Sequence, residues 1–291
     1  MTSILTIGNF DGLHLGHRQL ISTTIDLAKS WGARSVAITF TPHPHQFFNP
    51  SPHFFIHPEN IKEQILDSLG LDEVIYLPFE KIRLLTPEAF FQNILIPLDP
   101  AAIVLGNNFT FGANKSGNIS LLRQMCAAND IALHSLIMEP WHNEPVSSSR
   151  IRTAIQTGRV EDAAQMLTAP YTLYGNVEHG ASRGHTLGFA TANIHVPNQV
   201  MPKIGVYATR VQINSAPELH PAVTAVTQTP TFGTIKTIVE THIFDFTDDI
   251  YGQSLSIRFE HFIRDEILFR SRDELVQQLR SDCEKARSLL H

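Results

Sequence analysis

Apolar positions in the first half of the chain fall in short runs, separated by stretches in which they recur every three or four residues. Ile4-Gly8, Val36-Phe40, Val74-Leu77, Ala101-Gly106 and Ala132-Met138 have the length and β-branched content of buried strands. Between them, Arg18-Lys29, Asn60-Leu69, Pro87-Ile94 and Ser120-Ala128 carry helical spacing, with Gly70 ending the second and Thr86-Pro87 opening the third. This alternation predicts a parallel sheet wrapped by helices. Ligands of such sheets sit at the carboxyl ends of strands, where Gly8, Thr39-Phe40 and Gly106 fall.

The pattern changes after two short helices that flank Gly158 and stop before Pro170. From there, alternating runs Tyr171-Glu178, Gly205-Ile213, Ala222-Thr227, Ile235-Phe246 and Ser254-Ile263 are broken by Gly, Pro and Asn turns, which predicts a small β-barrel. Ser271-Arg272-Asp273-Glu274 is a capping box that opens a terminal helix, with Leu275, Leu279, Cys283, Ala286 and Leu290 on one face. The expected organisation is an α/β domain over 1–168 and an all-β domain over 169–291.

Composition narrows the partners. With 43% hydrophobic and 17% charged residues, the 291-residue chain reads as globular. A net charge of −6 argues against nucleic acid or an anionic membrane surface as partner, since both call for a basic face. No run approaches a membrane span or an export signal, so a cytoplasmic protein is expected. Cys126 and Cys283 stand alone, in no metal-binding spacing.

The stretch Gly8-Asn9-Phe10-Asp11-Gly12-Leu13-His14-Leu15-Gly16-His17 joins the first strand to the first helix, which is expected to start near His17. A helix N-terminus offers unpaired N–H groups and partial positive charge, so two imidazoles placed there would add to a phosphate site. Gly16 would let a ligand approach the backbone. Taken alone, two loop histidines fit a structural role as well. A zinc pair fits poorly, because the helical zinc motif spaces its histidines four apart.

The stretch resembles the HxGH signature of nucleotidyltransferases, in which both histidines and the opening helix bind ATP phosphates. Thr39-Phe40-Thr41-Pro42-His43-Pro44, Leu105-Gly106-Asn107-Asn108-Phe109-Thr110-Phe111-Gly112 and Ser147-Ser148-Ser149-Arg150-Ile151-Arg152 follow in order. Together these motifs resemble the adenylyltransferase module of the prokaryotic bifunctional riboflavin kinase and FAD synthetase family, over about residues 3 to 158. The resemblance implies a Rossmann-like fold with His14, His17 and Arg152 as catalytic groups. It implies ATP and flavin contacts from Gly8, Asn9, Phe10, Asp11, Gly16, Pro42, His43, Asn108, Phe111, Ser148 and Ser149. Asn107 stands where the family usually has an acidic residue.

In the second half, Gly175-Asn176-Val177-Glu178-His179-Gly180, Arg183-Gly184 and Leu187-Gly188-Phe189-Ala190-Thr191-Ala192-Asn193 form a glycine-rich stretch that on its own reads as hairpin bends. With Gly205-Ala208, Pro230-Phe232, Val239-Phe246 and Tyr251-Gly252 it resembles the flavokinase signature, over about residues 170 to 290. That implies a small Greek-key-like barrel with a terminal helix. It also implies that Thr191 and Asn193 hold Mg²⁺ and phosphates, that Gly180, Arg183 and Gly188 contact ATP or flavin, and that Glu240 is the base. Ala190 replaces a proline, and Ala225-Pro230 lacks a glycine and an arginine usual in the family. The implied function is phosphorylation of riboflavin to FMN and adenylylation of FMN to FAD, both from ATP. The alternatives are an FAD synthetase with an impaired kinase half, or a non-catalytic flavin-binding regulator.

Overall fold

The computed structural model describes the chain except for Glu139, 179–188 and 232–233, and except for the side chains of 229–231 and 234–236. Gly180, Arg183, Gly188 and Phe232 of the sequence motifs lie outside the described residues.

Two compact units emerge: Met1–Ser51 with Glu59–Ser147, and Pro52–Pro58 with Ser148–His291. The first is built on five parallel strands, β1 (Ser3–Ile7), β2 (Arg34–Thr41), β3 (Glu73–Pro78), β4 (Pro100–Gly106) and β5 (Ala132–Leu136), ordered β3-β2-β1-β4-β5. Period-two alternation sorts their side chains. Leu5, Ile7, Val36, Ile38, Ile103 and Leu105 face a core completed by Phe90, Phe91, Leu95 and Leu122. Ile4, Ala102 and Val104 face the opposite way, onto Leu20 and Ala28 of helix α1 (Leu15–Trp31). Covering both faces explains why the strands read as continuous apolar runs. Helix α2 (Glu59–Ser68) and helix α3 (Ile119–Ala127) complete the expected pattern. The helix expected over Pro87-Ile94 does start on a Thr86 cap, its hydroxyl accepting from the Ala89 N–H at 3.2 Å, but becomes a π-turn at Phe91–Leu95.

The second unit is a closed antiparallel barrel of β6 (Tyr171–Glu178), β7 (Ala192–His195), β8 (Gly205–Ile213), β9 (His220–Thr231), β10 (Thr234–Ile243) and β11 (Ser254–Arg264), ordered β6-β7-β10-β9-β8-β11. Tyr171, Leu173, Val226, Val239, Ile257 and Phe259 are at most 1% exposed and fill the interior. A chain of hydroxyls, Thr209 to Thr224 at 2.8 Å and Thr224 to Thr241 at 2.9 Å, satisfies the polar groups buried with them. On the outside, Val206, Ala208, Val223, Phe244 and Ile263 are covered by Ala286 and Leu290 of helix α6 (Arg272–Leu290). The Ser271 hydroxyl caps α6 by accepting from the Glu274 N–H, as the capping box requires. Asp282, 2% exposed, ties α6 to β11 by accepting two bonds from Arg264 Nε and one from its Nη2.

The units part at Ser147, ahead of the boundary expected near 168. Helices α4 (Ser148–Gln156) and α5 (Val160–Leu167) pack together, and α5 packs on β6 and β11. The segment 52–58 joins the barrel unit through Gln199, which is fully buried: its amide donates to Ile56 O at 3.0 Å and Thr172 O at 2.7 Å, and accepts from Tyr174 N at 3.0 Å.

Candidate active sites

In the α/β unit the strand order reverses beside β1: the chain leaves β1 through α1 to β2 on one side, while β4 lies on the other. A crevice opens at the carboxyl ends of strands where the order reverses, and here those ends are Gly8 and Gly106. The loop from β1 turns sharply, with positive φ at Phe10 (51°), Gly12 (83°) and Leu13 (43°). Phe10 and Leu13 are fully buried and anchor the loop to Ile21, Ala37 and Leu66. Asp11 between them is 2% exposed.

Helix α1 begins at Leu15, with His14 as its N-cap, so His17 lies within the first turn rather than at its start. Residues three apart on a helix are neighbours, and the two rings stack with centroids 3.7 Å apart and planes 18° apart. Phe10 meets His17 edge-on at 5.3 Å. Neither His14 Nδ1 nor His17 Nδ1 has a hydrogen-bond partner among the described residues, although both are buried. The His14 side chain does not cap the helix. Buried polar atoms are nearly always paired, and these two nitrogens are exceptions among the described residues, as are Thr6 Oγ1 and the Tyr76 hydroxyl.

Burial lowers the His14 pKa from 6.5 to about 4. His17 is held well below 6.5, first by burial and then by His14. Both rings are therefore neutral at pH 7, and offer N–H donors rather than cations. Unfolding lets His14 bind a proton below pH 6.5 that the folded state refuses until about pH 4. Stability contributed above pH 6.5 is thus lost as pH falls across that window, by roughly 3 kcal/mol at its foot. His14→Asn should flatten this part of a stability-versus-pH curve measured by urea titration.

Met138 lies across the crevice. A Cβ on Gly16 would meet its sulfur at 3.2 Å, and a Cβ on Gly106 would meet its methyl at 3.4 Å and Asn108 Oδ1 at 3.1 Å. Gly16 and Gly106 thus make room for the Met138 side chain, which, absent from the sequence motifs, packs directly on the backbone of both loops. Pro42 is exposed, whereas His43 is 7% exposed and caps the short helix Pro44–Phe48, its Nδ1 accepting from the His45 N–H at 3.1 Å. Phe111 is 6% exposed, stacks on Phe109 at 5.8 Å and joins the core. Asn9 and Asn108 lie in the loops after β1 and β4. Ser148 and Ser149 open α4 in the other unit, where Arg152 donates from Nε to Phe54 O at 2.9 Å and lays its guanidinium over the Phe54 ring at 4.0 Å.

In the barrel, backbone register aligns four residues across four strands: Glu178 opposite Asn193, Asn193 opposite Glu240, and Glu240 opposite Ala225. Their neighbours Val177, Ile194, Val239 and Val226 point inward, so by alternation this row points outward. Asn193 and Glu240, far apart in sequence, thus meet on one face, both half-buried. Thr191 precedes Asn193 by two residues, just ahead of β7. Strand β7 was not among the expected strands; it follows the glycine-rich stretch and runs close to β6, where a Cβ on Gly175 would stand 2.3 Å from His195 O. A separate cleft of about 590 Å³ is lined by Gln156, Met201, Lys203, Gln228, Thr237 and Asp265 among others, and shares no residue with this row.

Two family models match the chain, FAD synthetase over residues 1–150 and riboflavin kinase over 167–290. A bifunctional riboflavin kinase/FMN adenylyltransferase of Listeria monocytogenes is 31% identical, the alignment covering 99% of this chain and 92% of the relative. One of Bacillus subtilis is 32% identical over 98% and 91%. A crystal structure described as a macrolide-efflux protein from Streptococcus pneumoniae superposes with TM-score 0.89 at 31% identity, over 98% of this chain and 94% of that one. Among the described residues of the present chain, no helix is long and apolar enough to cross a membrane. Matched in both halves and along nearly its whole length, the chain belongs to the bifunctional riboflavin kinase/FMN adenylyltransferase family.

Proposed function

We propose that the two ATP-dependent activities of this family divide along the chain, with adenylylation of FMN to FAD carried by residues 1–168 and phosphorylation of riboflavin to FMN by 169–291. The observation that supports the first assignment best is the stacked pair His14 and His17, with both Nδ1 atoms unpartnered, on the first turn of α1 at the strand-order reversal.

Adenylyl transfer joins two anions. The FMN phosphate, with a second pKa of about 6, is already an ionised nucleophile at pH 7, so no base is needed to activate it. Its oxygen attacks the α-phosphorus of ATP, and pyrophosphate leaves with the electron pair of the broken P–O bond. The protein's task is to hold the reactants in line and stabilise the charge on the departing oxygen. The free N–H groups of α1 and the two neutral imidazoles are donors suited to that task. Gly8, Asn9, Phe10, Asp11 and Gly16 shape the phosphate loop, and Pro42, His43, Asn108 and Phe111 are candidates for the flavin and adenine pockets. The triphosphate roles of Ser148, Ser149 and Arg152 rest on the motif they share with the family.

Riboflavin presents a neutral 5′-hydroxyl, so attack on the γ-phosphorus, with ADP leaving on the electron pair of the broken P–O bond, benefits from a carboxylate that accepts the hydroxyl proton, the role we assign to Glu240. Thr191 and Asn193 offer the hard oxygen donors that Mg²⁺ prefers, and would hold it together with phosphate oxygens, where it would neutralise triphosphate charge. The test is chromatography of products from the purified protein given ATP, Mg²⁺ and either flavin. FAD is expected from both. FAD from FMN alone would favour an impaired kinase half, and no FAD from FMN would overturn the assignment of the crevice.

A further inference from the structure

We infer that His242 is a positioning residue for riboflavin phosphorylation: by donating its ring N–H to the Ala190 carbonyl, it fixes the start of β7 so that Thr191 and Asn193 face Glu240. This rests on the outward row of the barrel being the kinase site.

The reasoning begins with β7. It has four residues, and pairs with β6 and β10 at three positions each. So short a strand gains little register from its ladder alone, yet a slip of one residue would turn Asn193 from the outer face to the inner one. A second restraint is therefore needed at its start. His242 stands two residues beyond Glu240 on β10, on the same face, with Nδ1 2.7 Å from Ala190 O. A carbonyl only accepts, so Nδ1 carries the proton and Nε2 is free of it in the neutral ring.

The imidazole is itself held. Phe189 meets it edge-on at 5.6 Å, and Phe244 does so at 5.8 Å. Phe244 is 3% exposed, beneath α6, with the Arg287 guanidinium 4.3 Å from its ring centroid. A chain of contacts thus runs from the packed outer core of the barrel, through Phe244 and His242, to the backbone that precedes Thr191. The bond acts on Ala190, one residue before Thr191 and three before Asn193, where a loss of backbone order would displace both donors from Glu240.

Three variants of the full-length protein separate the hydrogen bond from ring packing. His242→Phe keeps the aromatic contacts and removes the donor. His242→Asn restores an N–H near the position of Nδ1. His242→Ala removes both. The proposal expects kcat/KM for riboflavin phosphorylation to fall about tenfold or more in His242→Phe and His242→Ala, and to stay within about threefold of wild type in His242→Asn. Amide hydrogen exchange of Ala192–His195 should accelerate in the first two and not in the third, while FAD formation from supplied FMN should hold in all three. Wild-type rate and exchange in His242→Phe, or an Asn variant as impaired as the Phe variant, would overturn the proposal. Retention of FMN formation by Glu240→Gln would instead overturn the placing of the kinase site.

Discussion

His17→Ala is expected to slow FAD formation from FMN severely, with kcat falling by roughly 10²–10³, the cost of removing one preorganised donor from a developing oxyanion. FMN formation from riboflavin should continue at the wild-type rate. The separation follows from the two units: His17 packs against Phe10 and His14 in the α/β unit, whereas the row that carries Glu240 belongs to the barrel. Folding should not suffer. The ring makes no hydrogen bond through Nδ1 among the described residues, and its removal takes a poorly paired polar group out of the interior. An unengaged ring nitrogen, stacked on a second histidine with another, distinguishes this residue from one bonded within the core. The same comparison applied to His43, whose Nδ1 is engaged with the backbone of its own turn, predicts a structural loss first. A His17→Ala protein that still made FAD at the wild-type rate would remove the crevice from the mechanism.

Much of this arrangement was legible in the chain because it is local. A glycine-flanked loop between an apolar run and a helical pattern specifies a strand, a turn and a helix N-terminus within a few residues, and both histidines lie inside it. The start of α1 was less legible. His14 caps the helix through its backbone alone, so no Ser, Thr, Asp or Asn marked the boundary before Leu15. Strand β7 was hidden for a different reason: four residues are too few to display alternation beside a glycine-rich stretch. Least legible were the bonds of Gln199, which fasten 52–58 and β6 to one another across long sequence separations. A single glutamine in a loop gives no sign that it will be fully buried, since its three bonds exist only once the barrel has closed. The meeting of Asn193 with Glu240 is likewise a product of register, and their motifs alone place them no closer than their sequence distance.

Glu240→Gln should reverse the first result, with loss of FMN formation from riboflavin and unchanged FAD formation from supplied FMN. The expected fall in kcat is about 10²–10⁴, the usual worth of a positioned general base. Glutamine preserves the volume and the strand alternation of Glu240 while removing its capacity to accept a proton, so KM for riboflavin should move much less than kcat. A carboxylate on the outer face of a strand would ordinarily be a solvated surface residue. Glu240 differs in being half-buried and directly opposite Asn193, whose amide oxygen is a hard donor of the kind Mg²⁺ takes, in a row whose far end is Glu178. Glu178 provides the control. It faces Asn193 from the other side with a side chain that is 54% exposed and 3.9 Å from His195. If Glu178→Gln stopped the kinase and Glu240→Gln did not, the base would lie on β6 rather than β10. A fall confined to Glu240→Gln would instead fix the direction from which the riboflavin hydroxyl gives up its proton.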